Sequence, residues 1–146
     1  MNADKIVSFQ SRKEKDEYEK LKREAIGEKA YKLQKKQEYQ AMRNLAGIEL
    51  EKAGKIEEAI LLYEKNVKER FDGNHPYDRL AIIYRRTMMI EDEIRTLEKA
   101  INVFENIEGQ GYVLKKVESF KKRLDKAKLL RLKLINDKEQ KKNCKV

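Results

Sequence analysis

At 146 residues the chain is long enough for one domain and short for two. Charged residues make up 42% of it, with one Pro and six Gly, a balance that favours long solvated helices over a sheet-rich globule. The formal net charge is +9, and no run approaches the roughly 18–20 consecutive apolar residues of a membrane span.

Ser11-Arg12-Lys13-Glu14 has the Ser-x-x-Glu form of a capping box, so a helix is expected to start there. From Arg12 to Gln40 apolar positions are sparse and opposite charges alternate, a pattern suited to a helix held by neighbouring ion pairs worth about 0.2–0.5 kcal/mol each. Gly27 is the expected kink. From Gln40 the pattern changes: Met42, Leu45, Ala46, Leu50 and Ala53 recur at helical spacing and stop at Gly54. A helix is then expected from Ile56 to Phe71, with Ile56, Ala59, Ile60, Tyr63 and Val67 on one face.

Asp72-Gly73-Asn74-His75-Pro76 is the clearest break, and Pro76 suits the first turn of the next helix. That helix carries Tyr77, Leu80, Ala81 and Tyr84 and turns near Met88-Met89. The following one carries Ile90, Ile94, Leu97, Ala100, Ile101 and Phe104. After Glu108-Gly109-Gln110-Gly111 a last helix is expected to reach about Asp137, with Val113, Val117, Phe120, Leu124 and Ala127 as a narrow packing stripe. Lys138–Val146 reads as a frayed, basic tail.

Charge follows the same divisions. Residues 1–40 carry 11 Lys/Arg against 8 Asp/Glu, residues 41–107 carry 11 against 13, and residues 108–146 carry 13 against 5. The centre is near neutral, so the basic character belongs to the flanks. Three regions follow: a charged helical extension at 1–39, a helix-pair core at 40–107, and a basic capping helix with its tail at 108–146.

Asn44–Glu69 and Asp78–Val103 match at an offset of 34 residues, with small residues at fixed places. These segments resemble the tetratricopeptide repeat. Signature places of the first unit fall on Ala46, Gly47, Leu50, Gly54, Ile56, Ala59, Tyr63 and Asn66. Those of the second fall on Tyr77, Leu80, Ala81, Tyr84, Met88, Ile90, Glu93, Leu97 and Ala100. The chain departs from the pattern at Arg43, where the family prefers an aromatic, at Asn66 and Glu93, where it prefers Ala, and at Phe71 and Glu105, where a closing Pro is usual.

The resemblance implies an all-α fold, a short stack of helix pairs with a long charged N-terminal helix and a C-terminal capping helix. It implies that the first helix of each unit lines a concave binding face. By resemblance the positions facing a ligand are Asn44, Ile48, Glu51 and Lys52 in the first unit and His75, Asp78, Arg79, Ile82, Arg85 and Arg86 in the second, and of these Asn44, Ile48, Lys52, Arg79, Ile82, Arg85 and Arg86 are the expected partner-binding residues. The guanidinium groups of Arg79, Arg85 and Arg86 suit a carboxylate-bearing segment, so reversing Arg85 and Arg86 to Glu is expected to weaken binding without unfolding.

Lys115, Lys116, Lys121, Lys122, Arg123 and Lys126 offer contacts to nucleic acid or another anionic surface, although the aromatic interleaving that stacks bases is missing. One His and one remote Cys144 do not supply a metal ligand set or a Cys–His couple. Gly-rich phosphate loops are likewise missing. The start of the chain lacks the apolar core of a signal peptide, and a lone Cys agrees with a reducing compartment. The sequence therefore reads as a cytoplasmic, non-catalytic adaptor without cofactor or metal that binds another protein or peptide. The alternatives are a nucleic-acid-associated regulator acting through the basic C-terminal helix and a self-assembling structural protein.

Overall fold

The computed structural model describes residues 8–109 and 111–145. It is all-α: among the described residues six helices form and no strand does, with α1 at Arg12–Ile26, α2 at Glu28–Lys52, α3 at Ile56–Lys68, α4 at His75–Arg86, α5 at Ile90–Glu105 and α6 at Gly111–Asn143. Two compact units result, Met1–Ala41 and Met42–Val146.

In the first unit, Ser11 caps α1 by accepting from the Glu14 N–H at 3.2 Å. Glu14 reaches one residue further back than a capping box requires and accepts from the Gln10 N–H at 2.8 Å. Gly27 breaks the chain instead of kinking it, because at φ +87° and ψ 156° it leaves helical space altogether. The expected single N-terminal helix is therefore two. No residue of α1 is buried, and polar contacts to α2 hold it. Tyr31 donates to Glu19 at 2.7 Å and Lys35 donates to the other oxygen at 3.0 Å. The Tyr31 hydroxyl, followed by Lys35, holds the Glu19 carboxyl below its usual range, while the Arg23 guanidinium lies 4.6 Å from the Tyr31 ring centre.

In the second unit, α2, α3 and α4 stop through the same device. Gly54 (φ +76°), Arg70 (φ +58°) and Met88 (φ +59°) adopt the left-handed conformation. The following N–H in each case reaches back five residues, from Lys55 to Leu50, Phe71 to Asn66 and Met89 to Tyr84. This stop ends α3 at Lys68, three residues earlier than the sequence suggests. Gly54 and Met88 are 34 residues apart, but only Gly54 is free of the Cβ penalty. Met88 is 53% exposed, so little packing depends on it. Met88→Gly should stabilise the protein by roughly 0.5–1 kcal/mol, read as a raised urea midpoint at unchanged slope.

Polar contacts fix the helix directions. Consecutive helices run antiparallel, as Arg43–Glu69 (α2 to α3), Arg85–Glu93 (α4 to α5) and the set Lys121–Glu105 and Arg131–Glu91 (α6 to α5) show. Alternate helices run parallel: Glu64–Arg95 and Arg70–Asn102 join α3 to α5, and Asn74–Lys116 and Asp78–Arg123 join α4 to α6. Between them Tyr63, Tyr77, Leu80 and Leu97 are fully buried. Tyr77, Phe104 and Phe120 close the core toward α6, with ring centres 5.5–6.5 Å apart.

The stripe expected on the last helix is the buried one, at Val117, Phe120, Leu124 and Ala127. That helix continues six residues past Asp137 to Asn143, so most of the expected frayed tail is helical. Its leucines divide. Leu130 and Leu134 pack on the core, while Leu129 and Leu132 are 66% and 57% exposed.

Candidate partner-binding face

Helix α4 buries Tyr77, Leu80 and Tyr84, which leaves His75, Arg79, Ile82 and Arg86, spaced by four, three and four, along its outer side. Ile82 is half-buried and Arg86 is exposed. Arg79 is already engaged: its Nε and Nη2 donate to the two oxygens of Glu51 at 3.0 and 2.6 Å, a forked pair joining α4 to α2. The Tyr63 hydroxyl adds a third donor to Glu51 at 2.7 Å. Burial pushes the Glu51 carboxyl up, but the donors Arg79 and Tyr63 outweigh it and hold it below its usual range. His75 stands edge-on to Tyr63 at 5.5 Å, with its Nε2 buried and without a hydrogen-bond partner among the described residues. Burial, then the Arg79 charge, pushes its imidazole pKa down, so the ring is neutral near pH 7.

The other expected contacts are distributed differently. Ile48, one turn before Glu51, is half-buried, and Lys52, beside it, is exposed and 3.0 Å from Glu49. Asn44 belongs to a polar layer between α2 and α3, where it accepts from the Asn66 amide at 2.8 Å. In the same layer Arg43 donates to Asn66 at 3.1 Å and pairs with Glu69. Two departures from the repeat pattern, Arg43 and Asn66, thus satisfy one another.

Arg85 also turns inward, its Nε donating at 2.8 Å to Glu93, whose side chain is 5% exposed. The expectation that Arg85 and Arg86 can be reversed together without harm to the fold is therefore corrected. Arg85 neutralises a buried carboxylate, and of the two only Arg86 makes no ion pair among the described residues. Glu51 stands on the face that the repeat resemblance implies, but it is occupied by Arg79. Glu93, which engages Arg85, is absent from the expected contact set, and its signal was an acid at a small-residue place.

The basic helix α6 divides in the same way. Lys116 donates to Asn74, Arg123 pairs with Asp78, and Lys121 reaches Glu105 at 3.0 Å. Lys115, Lys122 and Lys126 make no ion pair among the described residues. A cleft of about 210 Å³ between α4 and α6 is lined by Asn74, Asp78, Lys116, Ser119 and Phe120.

Among the described residues no three His, Cys, Asp or Glu side chains gather as a metal ligand set, and no helix is long and apolar enough to cross a membrane. The arrangement defines an all-α protein of antiparallel helix pairs with one polar, partly apolar face along α4. No family model, no curated protein and no solved structure matches the chain.

Proposed function

We propose that the chain is a non-catalytic cytoplasmic adaptor of tetratricopeptide type that holds an acidic partner segment along α4 and the adjoining end of α2. The observation that carries this reading is the pairing of half-buried Ile82 with exposed Arg86 one turn on, which makes no ion pair among the described residues, on the helix that Arg79 joins to Glu51 of α2. An apolar side chain beside an uncommitted guanidinium offers both area and a forked carboxylate contact. The repeat reading is supported by departures that compensate in pairs, Arg43 with Asn66 and Glu93 with Arg85. A second reading, an anionic nucleic-acid contact, is favoured by the unpaired line Lys115, Lys122 and Lys126 on α6, spaced by seven and four.

One titration separates them. Wild type and Arg86→Glu are measured against labelled Asp/Glu-rich peptides containing apolar residues, and against random duplex DNA at two salt concentrations. Arg86→Glu should weaken peptide binding by about tenfold while the melting temperature stays unchanged. Equal binding by both proteins sinks the α4 reading. Tighter, strongly salt-dependent binding of duplex DNA transfers the function to α6.

A further inference from the structure

A second groove, separate from the α4 face, lies between α3 and α5. It encloses about 610 Å³ and is lined by Glu64, Lys65, Val67 and Lys68 from α3 and by Arg95 and Lys99 from α5. The two helices are laced by parallel rungs at a nearly constant offset. Glu64 meets Arg95, 31 positions on, and Arg70 meets Asn102, 32 positions on, at 3.0 Å. The same register sets Lys68 opposite Lys99. That rung joins two cations and lacks a carboxylate.

Nothing among the described residues supplies it. Glu64 stands four residues before Lys68, the spacing and orientation that favour an ion pair along a helix. Its carboxylate is instead turned to other donors, since one oxygen accepts from Tyr84 and Arg95 and the other from Arg95 at 3.2 Å. Asp92 leans on Arg95 at 3.3 Å, and Glu98 turns to Lys128. Lys65, Lys68 and Lys99 make no ion pair among the described residues. Leu61, on the same face of α3 and one and two turns before Lys65 and Lys68, is 71% exposed, so this face of α3 also offers an apolar contact.

We infer that the α3–α5 groove docks an acidic segment of a partner protein, with one carboxylate between Lys68 and Lys99 and an apolar side chain against Leu61. The Glu64–Arg95 rung one turn away shows that this groove already holds a carboxylate against a cation, and the docked residue continues that ladder. A protein segment fits better than a nucleic acid, because the groove has no aromatic ring on which a base could stack. It also fits better than a free phosphate, because exposed Leu61 sets apolar surface on the same face of α3 as Lys65 and Lys68.

The test uses the full chain and a labelled decapeptide of mixed Glu and Leu, with a Gln-for-Glu twin and with pyrophosphate and random duplex DNA as competitors. The Glu peptide should bind and its twin should not, and Lys68→Glu/Lys99→Glu should weaken binding by at least about tenfold. The neutral Lys68→Ala/Lys99→Ala protein should give a smaller loss at unchanged helicity, which keeps the result independent of any folding defect. Arg86→Glu leaves this binding within about twofold, so failure here and failure of the α4 reading are distinguishable. Absence of binding, equal binding by the twin, binding unaffected by the double reversal, or displacement by equimolar pyrophosphate or DNA overturns the inference.

Discussion

Gly47→Val is expected to destabilise the protein by about 3 kcal/mol, because position 47 has no room for side-chain atoms. A Cβ there would lie 2.6 Å from Cζ of Tyr63 and 2.9 Å from its hydroxyl oxygen. Tyr63 cannot step aside, since its ring is fully buried and its hydroxyl is tied to Glu51. Gly47→Ala meets the same ring, but Ala regains about 1 kcal/mol of helix propensity, leaving a net loss of about 1–2 kcal/mol. The second helix pair indicates how to relieve the clash. Thirty-four residues on, Ala81 stands in place of Gly47 and Leu97 in place of Tyr63, both buried. Tyr63→Leu itself destabilises, yet in that background Gly47→Ala should become neutral or stabilising. Urea denaturation of the four proteins measures the coupling. Additive losses would show that Tyr63 is not what excludes a side chain at position 47.

Arg85→Glu is expected to be as severe, at about 3 kcal/mol, the low end for breaking a buried ion pair because Arg85 itself is partly exposed. The Glu93 side chain is 5% exposed and Arg85 is its only ion-pair partner among the described residues. Reversal sets a second carboxylate beside a buried one that has lost its counter-charge. Glu93→Ala should be far milder, since it removes the charge that needs a partner, and Arg85→Glu on top of Glu93→Ala should change stability little. Thermal melts of the four proteins give the comparison. Arg86→Glu, one residue away, should melt like wild type. A similar drop for Arg86→Glu would mean that the loss reflects the overall charge of α4, not one buried pair.

The elements were legible because their signals are local. Ser11 before Arg12, Gly54 after Lys52 and Pro76 in the first turn of α4 act through the backbone of their own neighbours. The stripe Val117, Phe120, Leu124 and Ala127 named the buried face of α6 from spacing alone. Less legible were ends set by residues without a preference for ending helices. Arg70 and Met88 adopt the left-handed conformation that Gly54 favours, and the hydrogen bonds of Phe71 and Met89 hold them there. Gly27 was visible as a weak point, but whether it kinks or breaks a helix depends on the contacts that fold α1 onto Tyr31 and Lys35.

The candidate site divides along the same line. Periodicity put Arg79, Ile82 and Arg86 on one side of α4, since a helix of 3.6 residues per turn allows little else. It could not separate a free arginine from a committed one, because commitment is made by residues far along the chain. Glu51 lies 28 positions before Arg79, and Asp78 lies 45 before Arg123. The sequence by itself determined an all-α chain, the buried faces of α3 to α6 and a basic C-terminal flank, all properties of composition and short-range spacing, whereas Met42 and Leu45 on α2, read as apolar-face positions, are 62% and 65% exposed. Only the tertiary structure decided which of those charges make no ion pair among the described residues, among them Arg86 on α4, Lys68 and Lys99 between α3 and α5, and Lys115, Lys122 and Lys126 on α6. Side chains remote in sequence had first to meet and neutralise one another before the unpaired ones were left at the surface.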